Sequence, residues 1–205
     1  MALQLTESEY VDDDFADVDL SGQEIEGITF TGCDFTDASL AGVRTRRAVF
    51  TGCVFTGAEL YGSVHRSTAF TACTFLRTSW HGADLQGCRL TGSSFSDCRM
   101  RPMVIRDSDL TLVSLGNARL AGVDLSGLRM REANLVGAAL TGCDLRGADL
   151  TGARTGGADL SGCDLRGARI DAATWVDAKL VGATVEVDQA VLYAAAHGLT
   201  LADPA

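Results

Sequence analysis

Cysteine and histidine are the residue types here that most readily ligate metals or act as nucleophiles, and the chain has seven cysteines and three histidines. No two cysteines form a CxxC pair, and no cysteine–histidine cluster has the spacing of a zinc site. All seven cysteines instead fall two places before a multiple of five, among Ala, Ser, Val and Thr. This position favours small, buried, reduced thiols and predicts neither a metal nor a cofactor. These cysteines are Cys33, Cys53, Cys73, Cys88, Cys98, Cys143 and Cys163.

The histidines do not form a catalytic constellation either. His81 and His197 are isolated, and nothing resembles a phosphate-binding loop or a nucleophile elbow. His65 stands at a position that large apolar residues otherwise hold. Catalysis would require a nucleophile and an orienting acid to converge on it in a pocket. We therefore expect no enzymatic activity and no small-molecule substrate.

The acidic residues are distributed unevenly along the chain. The net charge is −10 and the pI is about 4.6, so the basic footprint that nucleic-acid binding requires is missing. Residues 1–43 contain eleven acids and no Lys or Arg. This end is either a solvated, solubilising cap or a docking surface for a basic partner.

The composition is that of one globular domain, with 205 residues, 46% of them hydrophobic. The opening MALQLTESEYVDDD has neither the basic stretch nor the apolar core of a signal peptide. No window approaches the roughly 18 apolar residues of a membrane span. We expect a cytoplasmic protein with no membrane partner.

A period of five residues organises the chain from Phe15 to Val185. Almost every multiple of five is large and apolar, and these positions hold all eight Phe and both Trp. Most of the 23 Gly fall two places later. A helix repeats at 3.6 residues and a strand at 2, so a strict period of five with two inward positions predicts a coil. Gly at the corner of each row suits the tight turns of such a coil.

Rows such as GCDLRGADLTGARTGGADLSG follow an A-D-L-x-G pattern, and about 35 consecutive rows resemble the pentapeptide-repeat family. The resemblance implies an all-β solenoid, a right-handed quadrilateral β-helix in which four rows make one square turn. Residues 20 apart then stack at the roughly 4.8 Å spacing of paired strands. About 8.5 turns predict a rod roughly 40 Å long and 20 Å wide.

Reading the columns of such a rod places charged residues in two outward stripes. One column alternates in charge and predicts a stabilising ladder of exposed pairs: Arg89, Asp109, Arg129, Asp149 and Arg169. The other is acidic, is interrupted only by Val104 and supplies the candidate partner-facing acids: Asp84, Asp124, Asp144 and Asp164. In the core, His65 falls one turn above Thr45, which predicts a structural hydrogen bond to that hydroxyl or to the backbone.

The period stops after Val185, where EVDQAVLYAAAHGL predicts a short helix. Asp188 suits its N-cap, residues 189–197 its body and Gly198 its end. A helix of nine residues needs packing, and solenoids need capped ends. Because this helix is apolar nearly all round, we also expect a homodimer through this end. The predicted interface residues are Val191, Leu192, Ala195 and Leu199.

The sequence thus divides into an acidic segment (1–14), a β-helix (15–187) and a capping or dimerisation helix with a tail (188–205). The stretches LVGATVEVDQAVLYAAAHGLTLA and CRMRP resemble the fluoroquinolone-resistance members of the pentapeptide-repeat family. That resemblance implies a C-terminal dimer, a rod that mimics B-form DNA, and binding to DNA gyrase with inhibition or quinolone protection. Two alternatives are a pentapeptide-repeat scaffold for another protein and a self-immunity factor against a gyrase poison.

Overall fold

The computed structural model describes residues 4–200 and residue 202. Eleven three-residue strands and two helices are present in that part of the chain. The strands are Glu9–Val11 (β1), Glu24–Glu26 (β2), Thr29–Thr31 (β3), Arg44–Arg46 (β4), Val49–Thr51 (β5), Val64–Arg66 (β6), Ala69–Thr71 (β7), Thr74–Leu76 (β8), Asp84–Gln86 (β9), Ser94–Ser96 (β10) and Val104–Arg106 (β11). The helices are Ala172–Asp177 (α1) and Val187–Ala196 (α2).

The strands stack in parallel at a constant offset, as in the pairing of Thr29 with Val49 and of Val49 with Ala69. They form ladders in the orders β1-β3-β5-β7, β2-β4-β6-β9-β11 and β8-β10. Beyond β11, isolated bridges continue the same offset, for example between Asp144 and Asp164. The fold class predicted from the sequence, an all-β solenoid of pentapeptide repeats with a C-terminal helix, is confirmed.

Each row buries its middle residue and turns a corner two residues later. Along β2 the central Ile25 is buried between two exposed glutamates. The corner residues adopt a positive φ, as at Gly82 (φ +73°), where an added Cβ would contact the backbone of Gly62 in the turn below. Asp and Asn occupy several other corners because they tolerate this conformation better than most residues, as at Asp37 (φ 55°).

The core differs between the two halves of the rod. In the first half, phenylalanines stack in two columns, with ring centroids 4.7 Å apart for Phe30 and Phe50 and 4.9 Å apart for Phe35 and Phe55. Trp80 packs edge-on against Phe75 at 5.0 Å. After Phe95 the inward positions are mainly leucine. The stacked phenylalanine columns therefore lie in the N-terminal half.

A gap in the backbone hydrogen bonds, which we call the open seam, separates residues 97–107 from residues 117–127. The bond from the Phe95 N–H to the Ser114 carbonyl, at 2.9 Å, is the last before the gap, and in the described chain no backbone bond joins the two segments. The five-residue register continues across it. Core side chains beside the seam are slightly exposed, namely Met100 (8%), Ile105 (5%) and Val123 (7%).

The C-terminal end closes with both helices. Helix α1 replaces a strand that the period predicted, yet it still buries Trp175. Helix α2 begins at Val187, and its N-cap is Glu186, which exchanges hydrogen bonds with Gln189 in a capping box. The prediction of Asp188 as the N-cap is therefore wrong, because the reciprocal Glu186–Gln189 pairing satisfies the first turn instead.

Other sequence boundaries also shift in the structure. Gly198 ends α2 with a φ of +78°, as predicted. At the other end, β1 lies inside the segment assigned to residues 1–14, because Tyr10 stacks on Phe30 with ring centroids 5.3 Å apart. The first coil of the rod therefore starts before residue 15. Among the described residues, no helix has the length and hydropathy that crossing a bilayer requires.

Candidate functional site

The predicted acidic stripe lies along one face of the rod. Asp84 pairs with Val104 in adjacent strands, and bridges link Asp124 to Asp144 and Asp144 to Asp164. The structure thus stacks the four predicted acids in one column. The open seam crosses that column between Val104 and Asp124.

Arginines partner three of these four acids. The Arg66 guanidinium lies 2.7 Å from Asp84, and the Nε groups of Arg146 and Arg166 each donate to an aspartate two residues earlier at 2.9 Å. The hydrogen bond from Arg146 lowers the pKa of Asp144, and that from Arg166 lowers the pKa of Asp164 to about 2. These aspartates remain ionised at any physiological pH, but their charge is largely compensated locally.

Asp124 differs from its neighbours in the column. Its Oδ1 accepts a bond from the Ser126 N–H at 3.0 Å, and no arginine or lysine of the described chain pairs with it. It is therefore the one acid of the predicted four that has no ion pair in the described chain. The sequence signal for this difference was available, because Ser126 stands where Arg146 and Arg166 follow the other aspartates.

The second charged column forms the predicted ladder only in part. All its neighbours are bridged through the backbone. Arg129 pairs with Asp109 at 3.3 Å, and Arg169 pairs with Asp149 at 3.7 Å. Arg131, two residues after Arg129, also reaches Asp149, at 3.4 Å. This face is accordingly a network of exposed pairs in which arginines outnumber aspartates, and each pair is worth at most about 1 kcal/mol.

The uncompensated acids gather instead on the first coils. Asp14 bridges directly to Asp34 in the next turn, and Asp19 bridges to Ser39. Their carboxylates accept bonds from nearby backbone N–H groups, as Asp34 does from Thr36 at 2.8 Å. In this part of the described chain, one ion pair, between Arg47 and Glu26, offsets an acidic charge.

An apolar surface covers the C-terminal end of the rod. All four residues predicted for the dimer interface are exposed, including Val191 (44%), Leu192 (54%) and Leu199 (63%). We call this surface the terminal face; it also includes other exposed apolar residues, namely Val176, Val181, Val187 and Tyr193. Exposed apolar side chains gathered at the end of a charged rod are typical of a protein interface.

Side chains on the inner side of helix α2 anchor it to the last turn of the rod. The Gln189 side chain is buried and donates to the carbonyls of Leu165 and Ala168 at 2.8 and 2.9 Å. Its bond to the Ala168 carbonyl satisfies a backbone group that the last turn would leave open, whereas the Leu165 carbonyl also accepts from the Ala168 N–H. Tyr193 packs edge-on against Trp175 with ring centroids 6.1 Å apart. Helix α2 therefore packs against the last turn of the rod.

The sequence profile described as pentapeptide repeats matches in eight copies, over residues 14–44, 33–64, 66–101, 108–147 and 143–184. These segments cover most of the chain. The chain belongs to the pentapeptide-repeat family. Within that family, it is 65% identical over 115 residues to the pentapeptide repeat protein MfpA of Mycobacterium tuberculosis. That match covers 56% of this chain and 63% of the relative.

Solved pentapeptide-repeat structures resemble the rod over nearly its whole length. Full-length QnrB1, a plasmid-mediated fluoroquinolone resistance protein, superposes with a TM-score of 0.83 over 93% of this chain and 97% of QnrB1, at 24% identity. A trypsin-treated variant of QnrB1 gives a TM-score of 0.82 over 95% of this chain and 97% of that chain, also at 24% identity. At this identity the likeness shows a shared fold.

The groups that first suggested chemistry are structural in this pentapeptide-repeat rod. Six of the seven cysteines are buried, Cys98 is partly exposed, and all seven are free thiols. His65 is buried with both ring nitrogens near hydroxyls, as the hydrogen-bond prediction for Thr45 anticipated. The described residues include no group of acids, histidines and cysteines arranged to hold a metal.

Proposed function

We propose that this chain binds DNA gyrase as a homodimeric mimic of duplex DNA, modulates supercoiling and protects against fluoroquinolones. The proposal also makes it a cytoplasmic, non-enzymatic interaction protein. The identity to MfpA and the fold shared with QnrB1 support this class of function. The observation that carries the proposal is the terminal face, because an exposed apolar end allows two rods to join with a common axis.

Length and symmetry favour the dimer as the active form. One chain supplies a rod of about 40 Å, and two joined by their terminal faces supply roughly 80 Å. A two-fold partner such as gyrase presents two equivalent DNA-binding halves, which a two-fold rod can occupy together. The rod's width of roughly 20 Å is similar to that of a duplex.

Charge alone does not suffice for the mimicry. A dimer with twice the net charge of −10 would carry about one charge per 4 Å, whereas a duplex carries one per about 1.7 Å. The arginine pairs of Asp84, Asp144 and Asp164 reduce the local density further. Shape must therefore contribute as much as charge, and the acidic first coils extend the negative surface to the outer ends.

A supercoiling assay with purified gyrase tests the proposal. We expect the chain to inhibit supercoiling in proportion to its concentration and to reduce quinolone-stabilised DNA cleavage. The salt dependence should be steep, because attraction between exposed charges is screened beyond about 8 Å at physiological salt. A chain that leaves both reactions unchanged across a wide concentration range would exclude gyrase as the target.

The pairing of three acids with arginines favours one alternative function, a scaffold for a different protein. Such a scaffold would dimerise normally yet have no effect on supercoiling or on quinolone-stabilised cleavage. A self-immunity factor would instead leave quinolone action unchanged and relieve a different gyrase poison. The same assay, run with each poison, separates the three functions.

A further inference from the structure

The open seam widens into a groove on one side of the rod, with a volume of about 940 Å³. Its walls come from four successive turns, with Tyr61 and His81 on one side and Asn117 on the other. The volume falls within the roughly 300 to 1,000 Å³ typical of ligand sites. Neither the acidic stripe nor the terminal face includes this groove.

The two lips of the groove carry unpaired strand edges. In an intact turn, Leu60 N–H donates to Ser79 O at 2.8 Å, and Ser79 N–H donates to Ala58 O at 3.1 Å. At the seam the equivalent groups are Met100 N–H and Cys98 C=O on one lip, and both the N–H and the C=O of Arg119 on the other. Across the described residues, none of these four groups has a hydrogen-bond partner.

The charge of the groove is opposite to that of the rod. Arg99, Arg101 and Arg119 line it, and none of these guanidinium groups has an ion-pair or hydrogen-bond partner in the described chain. Glu59 and Asp97 are the acids of the lining, so the groove has an excess of positive charge within a chain of net charge −10. Three unpartnered arginines around unpaired backbone groups point to an anionic ligand.

We infer that this groove binds an extended acidic peptide segment of a partner protein, which pairs with the open strand edge. Unpaired donors and acceptors alternate along each lip, which suits a peptide backbone, whereas a simple anion such as sulfate offers acceptors alone. Main-chain pairing would supply affinity, and the arginines would select carboxylate side chains. The site is separate from the proposed gyrase surface and does not depend on it.

Fluorescein-labelled hexaglutamate, titrated with the full chain at low salt, tests the inference by fluorescence anisotropy. We expect saturable binding that falls at least tenfold in the double variant Arg99→Gln/Arg119→Gln. The control variant Arg44→Gln/Arg154→Gln removes the same charge from exposed arginines outside the groove. It should bind like the parent, and circular dichroism should be unchanged in both variants.

Two further measurements separate strand pairing from simple charge attraction. Hexaglutamate with alternate N-methylated amides keeps its charge but loses backbone donors, so it should bind at least tenfold more weakly. In amide exchange of the full chain, Met100 and Arg119 should exchange readily alone and gain protection with the peptide. The inference is overturned if hexaglutamate does not bind, or if the two double variants bind it with equal affinity. It is also overturned if the N-methylated and unmodified peptides bind equally, or if equimolar inorganic phosphate displaces the peptide.

Discussion

The Thr45 hydroxyl lies 2.7 Å from Nδ1 of His65, one turn away in the core of the rod. The Ser63 hydroxyl lies 2.9 Å from Nε2 of the same ring. Both nitrogens of the imidazole are thus satisfied by neutral partners. Burial lowers the pKa of His65 to about 3, so the ring is neutral in the folded state at ordinary pH.

This lowered pKa predicts how stability depends on pH. The unfolded histidine has a pKa of about 6.5, so below that pH protons bind preferentially to the unfolded state. The contribution of His65 should be intact above about pH 6.5 and should fall by about 1.4 kcal/mol per pH unit towards pH 3. Urea unfolding at pH 7, 5.5 and 4.5 measures it. His65→Gln, which keeps a hydrogen-bond donor and an acceptor but does not titrate, should show a shallower slope, and an equal slope would contradict the prediction.

The proposed dimer predicts a sharp effect of one substitution. Leu192→Arg should place an unpaired charge in the interface and cost several kcal/mol of association. Light scattering should report a monomer with an unchanged circular dichroism spectrum and little gyrase inhibition. The matched control is Leu112→Arg, on the side of the rod, whose leucine is 53% exposed against 54% for Leu192. If the monomeric variant inhibits as well as the parent, a single rod makes the gyrase contact.

Because Asp124 has no ion pair in the described chain, we expect it to contribute more to gyrase binding than the paired aspartates of its column. Asp124→Asn should weaken gyrase inhibition and flatten its salt dependence, because it removes an acid that attracts a basic partner. Asp164→Asn/Arg166→Gln is the control, since it removes an acid and its partner without changing the net charge and leaves Arg146 beside Asp144. Changing all four column aspartates to Asn should weaken inhibition further. Unchanged inhibition in every variant would show that this face makes no contact with gyrase.

The burial of the cysteines predicts their reactivity. Burial raises the pKa of the Cys98 thiol, but Cys98 alone among the seven is partly exposed. We expect a thiol reagent to label it first in the native protein, and to label all seven only after denaturation. Mass spectrometry of the labelled protein measures both. Stoichiometric bound metal, or fewer than seven thiols after denaturation without oxidant, would contradict a purely structural role.

Most of this fold was predictable because side chains of the same type recur every five residues. The inward positions, the 20-residue stacking, the helix after Val185 and the pairing of His65 with Thr45 all follow from this period. Helix α1 was missed because an inward residue at a multiple of five does not specify the backbone around it. The six residues of helix α1 bury Trp175 without a strand.

The features of the candidate surfaces were less predictable. The open seam depends on backbone hydrogen bonds that fail to form, and its one sequence signal is Pro102, which has no N–H to donate. The compensation of Asp84 comes from Arg66, a residue in the preceding turn that neighbours it only after folding. Predicting such partners requires the backbone geometry of the corners, which the five-residue period does not give.

The two tryptophans lie on opposite sides of the open seam. Trp80 belongs to the aromatic half, whereas Trp175 lies beneath the terminal face. Within the described part of the chain, the indole N–H of each is buried without a hydrogen-bond partner. Each indole therefore has an apolar environment that only local unfolding would replace with water. In Trp80→Phe and Trp175→Phe variants, the remaining indole emission would report separately on each half. Fluorescence can thus reveal whether the rod unfolds in one cooperative step or unfolds first at one end.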